Sequence, residues 1–296
     1  MSVVPAPPVI DFHAALARWT DSSATLAPPT VWLTALQQLG VTLGGAESLV
    51  ERFVQAWSRL YSATLLLDHL QDDDELGDAW LATQPEALQY HLAFSAYALA
   101  NRDLAELASA LPPTRGLQLH ELWSTTVLQM AIGQYRDLSL PVASLGDAQQ
   151  ALDAYEELAA QKTGAAFALA LGGCVQVATD DVVQIDAAVN VGLLLGMLLQ
   201  YYDDLLDRGS QAAQPGTLTL ARAWAAQLAT GVDEHSIPML WILIYGHYHR
   251  GLNAILVALP DAAQAIIREL VQTMFGPAPD VPIASSTGEA VSVQPA

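Results

Sequence analysis

Proline and glycine cut this chain into a succession of long apolar, helix-forming segments, and that punctuation leaves little room for any architecture other than packed helices. Breaks fall at Pro28-Pro29, Gly44-Gly45, Pro112-Pro113, Pro141, Pro215-Gly216 and Pro260. The spacing predicts helices over residues 10–19, 29–40, 45–73, 85–110, 115–139, 147–173, 181–208, 217–230, 237–258 and 260–274. Strand candidates are scarce, because Val175-Gln176-Val177 is too short to seed a sheet. The expected fold is all-α: one helical bundle around a central cavity, spanning residues 10–276. Residues 1–9 and 277–296 mix Pro, Ser and Val without periodicity and are expected to be flexible.

With 296 residues, 52% of them hydrophobic and only 14% charged, the chain can bury one large core. Eleven Lys and Arg against thirty-one Asp and Glu give a formal charge of −20, which excludes a nucleic-acid backbone as partner. A soluble acidic surface is the plain explanation of that charge. If the substrate is itself an anion, the protein must recruit metal and hoard its few cations. The single cysteine, Cys174 beside Gly172-Gly173, rules out a disulfide framework and fits a reducing compartment and a core-filling role. Met1–Val9 carries neither a basic start nor a long apolar run, so a cytoplasmic protein is expected. The most apolar stretches, Val189–Leu199 and Ile237–Tyr245, fall short of the roughly 20 residues that span a bilayer, so no transmembrane segment is expected.

Two acidic clusters carry the chemistry: Asp68-His69-Leu70-Gln71-Asp72, and Gln200-Tyr201-Tyr202-Asp203-Asp204-Leu205-Leu206-Asp207. Each holds a carboxylate pair four residues apart, which a helix projects from one side. Two such faces meeting across a cavity would offer several anionic oxygens to the hard divalent cations that grip a diphosphate. In the second cluster, Gly192, Gly196, Gln200, Asp203 and Asp207 share one helical stripe. A core helix would put Leu there, so two gaps, an amide and two acids suggest that a polar ligand or ion faces the stripe. The alternative is a helix end whose acids simply reach solvent.

Gln200–Asp207 resembles the second aspartate-rich motif of the trans-isoprenyl diphosphate synthases, the farnesyl and geranylgeranyl diphosphate synthase family. Lys162-Thr163-Gly164 resembles that family's lysine-threonine motif, and Gly133-Gln134-Tyr135-Arg136-Asp137-Leu138 its Gly-Gln-x-x-Asp-Leu motif. Asp68–Asp72 sits where the first aspartate-rich motif belongs. The resemblance covers roughly residues 45–225. It implies an all-α prenyl synthase fold, usually a homodimer, with three Mg²⁺ ions holding an allylic prenyl diphosphate between the motifs. By family position Asp68 and Asp72 would hold two metals, and Asp203 the third with Asp207 in support. Lys162, Thr163 and Gln200 would contact the diphosphate or the reacting chain, and Gln134, Arg136 and Arg208 are further candidates for the substrate. Diphosphate departure develops negative charge that metal and Lys162 neutralise, while the carbocation left behind needs an apolar, water-poor pocket. Ala63 and Thr64, small where the family caps the prenyl tail with bulk, suggest room for a chain of about C15–C20. Trp57, Leu60, Tyr135, Tyr201 and Tyr202 are plausible lining residues, although aromatics at helical spacing are commonly core.

The chain also departs from the family pattern. His69 replaces the second acid of the first motif; Mg²⁺ prefers oxygen, so His69 is assigned a hydrogen-bonding or cavity-lining role. Asp73 and Asp74 extend the acid run and could substitute in a shifted register. The family's Gly-Gly-Lys-Arg entry motif is missing from residues 37–51, and residues 75–84 contain no cation. Those cations normally pair the charge of a second substrate, isopentenyl diphosphate. Arg52 and Arg59 could partly replace them or be solvated surface charges. The leading expectation is therefore a terpene synthase-like lyase that ionises one allylic diphosphate and quenches the cation without extending it. A chain-elongating prenyltransferase and a non-catalytic partner subunit of a prenyl synthase are the alternatives.

Overall fold

The structure, a computed structural model, describes residues 11–22, 26–72, 76–139, 148–206 and 237–277. The helix expected over 217–230, the residues Asp73, Asp74, Asp207 and Arg208, and the two expected flexible ends apart from Pro277 lie outside the described residues. Among the described residues the fold is all-α: α1 (Phe12–Ser22), α2 (Thr30–Thr42), α3 (Glu47–Gln71), α4 (Glu86–Ala110), α5 (Pro113–Ser139), α6 (Ala148–Ala159), α7 (Ala165–Ala178), α8 (Val182–Leu206), α9 (Ile237–Leu256) and α10 (Asp261–Phe275).

The punctuation works as the sequence suggests. Pro29, Pro85 and Pro260 precede α2, α4 and α10 with extended ψ of 139°, 137° and 148°, and Pro113 opens α5, where its missing N–H costs nothing. Gly44 and Gly276 follow α2 and α10 with φ of 93° and 78°, a conformation that only glycine adopts readily.

One expectation fails in an informative way. The helix predicted over 147–173 is two helices joined through a π turn at Ala160–Gly164, and the second continues through Val175-Gln176-Val177 to Ala178. Every residue from Ala165 to Val177 is buried, so α7 is the axial helix of the bundle, wrapped by α2, α3, α5 and α8. Aromatic rings seal its upper part: Phe167 lies 4.3 Å from Trp32 and 5.7 Å from Trp57, whose indole N–H donates to the Ala166 carbonyl at 2.9 Å. Cys174 is fully buried and donates its thiol to the Leu36 carbonyl; burial pushes its pKa up to about 12, which keeps it an inert thiol.

Counting uninterrupted apolar runs underestimates two segments. Gln149–Ala178 and Val182–Leu205 are long and apolar enough to cross a membrane by length and composition alone. Here they pack against each other as the paired core helices of the bundle.

Candidate active site

Three helices deliver carboxylates from their last turns. Asp68 lies in the final turn of α3 and Asp72 caps it, with the Asp72 N–H donating to the Asp68 carbonyl at 3.0 Å. Asp137 lies in the final turn of α5, and Asp203 and Asp204 in that of α8. Carboxylates at a helix C-terminus sit against the negative end of the macrodipole, so each arrangement calls for a cation. One oxygen each from Asp68, Asp72 and Asp137 lie within 4.8 Å of one another. This set is all hard oxygen, as Mg²⁺ or Ca²⁺ requires, and Asp68 Oδ1 is buried with the Lys162 ammonium as its partner. The triad therefore fits a divalent metal.

A cation of the protein's own already reaches this cluster. Lys162, the only lysine in the chain, places Nζ 2.7 Å from Asp68 and 2.6 Å from Asp137. Burial alone would favour the neutral amine, but Asp68 and Asp137 more than offset it and hold the ammonium above its ordinary pKa. Lys162 is thus held in its charged form by the acids around it.

The second cluster fronts the same space. Burial, then Asp203, then Asp68 push the Tyr61 phenol up to about 12, so one hydroxyl feels both acid motifs. Next to Lys162, Thr163 donates its hydroxyl to Gln200 Oε1; Gln200 Nε2 donates to Asp204 Oδ1 at 3.0 Å; and the buried Tyr155 hydroxyl donates to Asp204 Oδ2. Burial and Asp204 hold Tyr155 well above its ordinary pKa, which makes it a permanent donor. Tyr155 stacks on Tyr201 at 5.4 Å, and Tyr201 shares a 2.7 Å hydrogen bond with Tyr248.

The π turn that presents Lys162 and Thr163 is gripped between glycines. A Cβ on Gly133 of α5 would stand 2.5 Å from the Lys162 backbone nitrogen, and one on Gly196 of α8 would stand 2.5 Å from the Thr163 carbonyl oxygen. Gly192 likewise receives the Phe167 carbonyl, at 2.2 Å from a built Cβ. The gaps in the Gly192–Gly196 stripe are thus filled by neighbouring backbone, and Gln200, further along it, hydrogen-bonds to the Thr163 hydroxyl. Gly133→Ala should lower unfolding stability by about 1–3 kcal/mol, because the obstructing atoms are backbone and cannot step aside. Chemical denaturation measures it, and an unchanged midpoint would show that the contact is slack.

The other residues singled out in the sequence spread around this centre. His69 donates Nδ1–H to the Leu65 carbonyl at 2.8 Å, which holds the ring along its own helix. Gln134 donates to Gln71 Oε1 at 3.1 Å and ties α5 to the end of α3. Arg136 is drawn to Glu157 and to Gln161 Oε1 at 2.9 Å. Ala63 is fully buried in a cluster with Leu66, Leu92 and Ala96, while the half-buried Thr64 donates to the Tyr61 carbonyl at 3.0 Å. Tyr135, expected as a lining residue, is 70% exposed on the outer face of α5, whereas Trp57, Leu60 and Tyr201 are buried core. Arg52 pairs with Glu106 at 3.5 Å and Arg59 with Asp103, both acids of α4. A cavity of about 230 Å³ lined by Trp19, Gln55, Ser58, Arg59 and Ser62 opens on a different face of α3 from Asp68.

Asp137 and Tyr155 are the site residues that sequence reasoning passed over. Asp137 stands inside the quoted Gly-Gln-x-x-Asp-Leu motif and had a signal. Tyr155 had none, since its role depends on α6 folding back against α8.

The fold matches that of known proteins. The polyprenyl synthetase family model matches residues 29–218. Among solved structures, a geranyltranstransferase from Thermotoga maritima is 17% identical over 90% of this chain and 91% of its own, with a TM-score of 0.65. Geranylgeranyl pyrophosphate synthase from Lactobacillus brevis is 17% identical over 91% of each chain, with a TM-score of 0.67. A polyprenyl synthase from Caulobacter crescentus, complexed with calcium and isoprenyl diphosphate, is 18% identical over 92% and 91%, with a TM-score of 0.64. No curated protein sequence matches. Because the family model spans most of the described bundle and all three neighbours share its fold, this chain belongs to the polyprenyl synthetase family of all-α isoprenoid enzymes, which act on allylic diphosphates.

Proposed function

We propose that the chain is a Mg²⁺-dependent prenyltransferase that ionises an allylic prenyl diphosphate of about C15–C20 and passes the prenyl group to isopentenyl diphosphate. The observation that carries this reading is the meeting of Asp68, Asp72 and Asp137 with Lys162, a metal-fitting acid triad with a permanent cation inside it. Bound Mg²⁺ would supply Lewis-acid stabilisation of the leaving diphosphate. Asp68, Asp72 and Asp137 would hold it on one side and Asp203, with Asp207, on the other, to a total of three ions. Lys162 binds the diphosphate as negative charge develops, and Thr163 and Gln200 face the reacting carbon. Gln134 keeps α5 and α3 together beneath the triad, while Arg136, already paired, is a poor diphosphate ligand.

Elongation is preferred to the lyase expected from the sequence because family membership and the named activities of the structural neighbours support it. The lyase remains the second reading on one observation: Arg52 and Arg59 are engaged by α4 acids, which leaves them little charge to offer a second diphosphate. Incubating the protein with farnesyl and geranylgeranyl diphosphate and Mg²⁺, with and without isopentenyl diphosphate, separates the two. Products five carbons longer support elongation; a hydrocarbon or alcohol of unchanged carbon number overturns it in favour of the lyase.

A homodimer belongs to the same proposal. Leu128, Ile132 and Tyr135 form an exposed apolar stripe on α5, at 62%, 40% and 70% exposure, and Phe94 of α4 is as bare. Light scattering should give twice the chain mass, and Leu128→Glu with Ile132→Glu should return it to one. A reducing, cytoplasmic setting fits the free, buried Cys174.

A further inference from the structure

We propose that Tyr155 is a positioning residue that sets the hydrogen-bond polarity of Thr163 through Asp204 and Gln200. This rests on the prenyl-transfer reading above, in which Thr163 and Gln200 face the reacting carbon.

Four residues from three elements make one directed chain. Tyr155 of α6 donates to Asp204 Oδ2, Gln200 Nε2 donates to Asp204 Oδ1, and Thr163 donates to Gln200 Oε1. The direction of each bond follows from chemistry. A carboxylate only accepts, so the Gln200 group turned toward Asp204 must be its NH₂ and the group turned toward Thr163 must be its carbonyl oxygen. That oxygen in turn takes the Thr163 proton. Thr163 is left with lone pairs alone, the negative end of its dipole, for whatever stands beside it. Next to a forming carbocation that polarity is stabilising.

The opposite polarity lies one amide flip away. If Asp204 were free to turn aside, Gln200 could present its NH₂ to Thr163, the hydroxyl would accept, and its hydrogen would be left to meet the cation. Tyr155 opposes this by occupying the other carboxylate oxygen from a fixed place: its side chain is 1% exposed and its ring stacks on Tyr201. Asp203 and Asp204, neighbours in sequence, thereby differ in setting, the first exposed and the second engaged by Tyr155 and Gln200.

Tyr155→Phe keeps the stacked ring and removes only the donor. In the full chain, with geranylgeranyl diphosphate, isopentenyl diphosphate and Mg²⁺, kcat should fall about 10- to 100-fold. KM and the Mg²⁺ concentration for half-activity should stay within about twofold. Asp204→Asn should show the same split, and the double variant should be no worse than Asp204→Asn alone, because both changes break one chain of bonds. An unchanged kcat in Tyr155→Phe, a parallel shift in KM or Mg²⁺ requirement, or additive losses in the double variant would overturn the proposal. Wild-type protein that turns over while Tyr155→Phe matches it sinks the positioning role alone; wild-type protein that releases no pyrophosphate from any allylic diphosphate sinks the prenyl-transfer reading and this one with it.

Discussion

Lys162→Met should reduce turnover of an allylic diphosphate about a thousandfold while tightening the binding of Mn²⁺ in the absence of diphosphate. The two effects come from one arrangement. Lys162 Nζ sits within 2.7 Å of Asp68 and 2.6 Å of Asp137, inside the same set of oxygens that fits a divalent ion. A metal entering this triad must compete with an ammonium held there by two carboxylates. A bound diphosphate would give the ammonium another partner and leave the acids to hold metal. Methionine has similar length and no charge, so the triad loses its internal counter-ion and its appetite for an external one grows. Calorimetric titration with Mn²⁺, with and without inorganic pyrophosphate, reads this directly. Wild-type affinity should rise sharply when pyrophosphate is added, and the variant's should depend on it much less. Equal Mn²⁺ affinities in the two proteins would show that lysine and metal do not share the site.

Asp203→Asn should cost about three orders of magnitude in rate while leaving the fold intact. The residue is exposed in the last turn of α8, where a negative charge opposes the helix dipole. Neutralising it relieves that repulsion, and the isosteric amide should leave the helix folded, as circular dichroism would check. Activity is a different matter, since under the proposed function Asp203 would hold metal on the second side of the diphosphate. Near-normal turnover would remove Asp203 from the metal site. A collapse in stability would make it a structural residue.

Helix boundaries were legible because their causes are local: a proline fixes its own φ, and a glycine admits its own positive φ. The π turn at Ala160–Gly164 was not, because it is set by α5 and α8 closing on it through Gly133 and Gly196. The same limit explains the misread stripe. Sequence shows that Gly192 and Gly196 lack side chains, and only the fold shows that the Phe167 and Thr163 carbonyls fill the space. Lys162, Thr163 and Gln200 could be nominated from their motifs, yet the partner that completes the triad, Asp137, needs α3 and α5 to finish side by side. Arg52 and Arg59 looked free along α3 because the acids that hold them belong to α4. The missing entry-motif cations point to a lyase only as a count along the sequence, which carries no information on how charge is placed around the triad.

Pyrophosphate release offers the most direct test of a site that closes metal and Lys162 around an allylic diphosphate. Purified protein given geranylgeranyl diphosphate, isopentenyl diphosphate and Mg²⁺ should liberate pyrophosphate, stop when EDTA is added, and resume when Mg²⁺ is restored. Release that continues at the same rate in EDTA, or that survives intact in the Asp68→Asn protein, would contradict it.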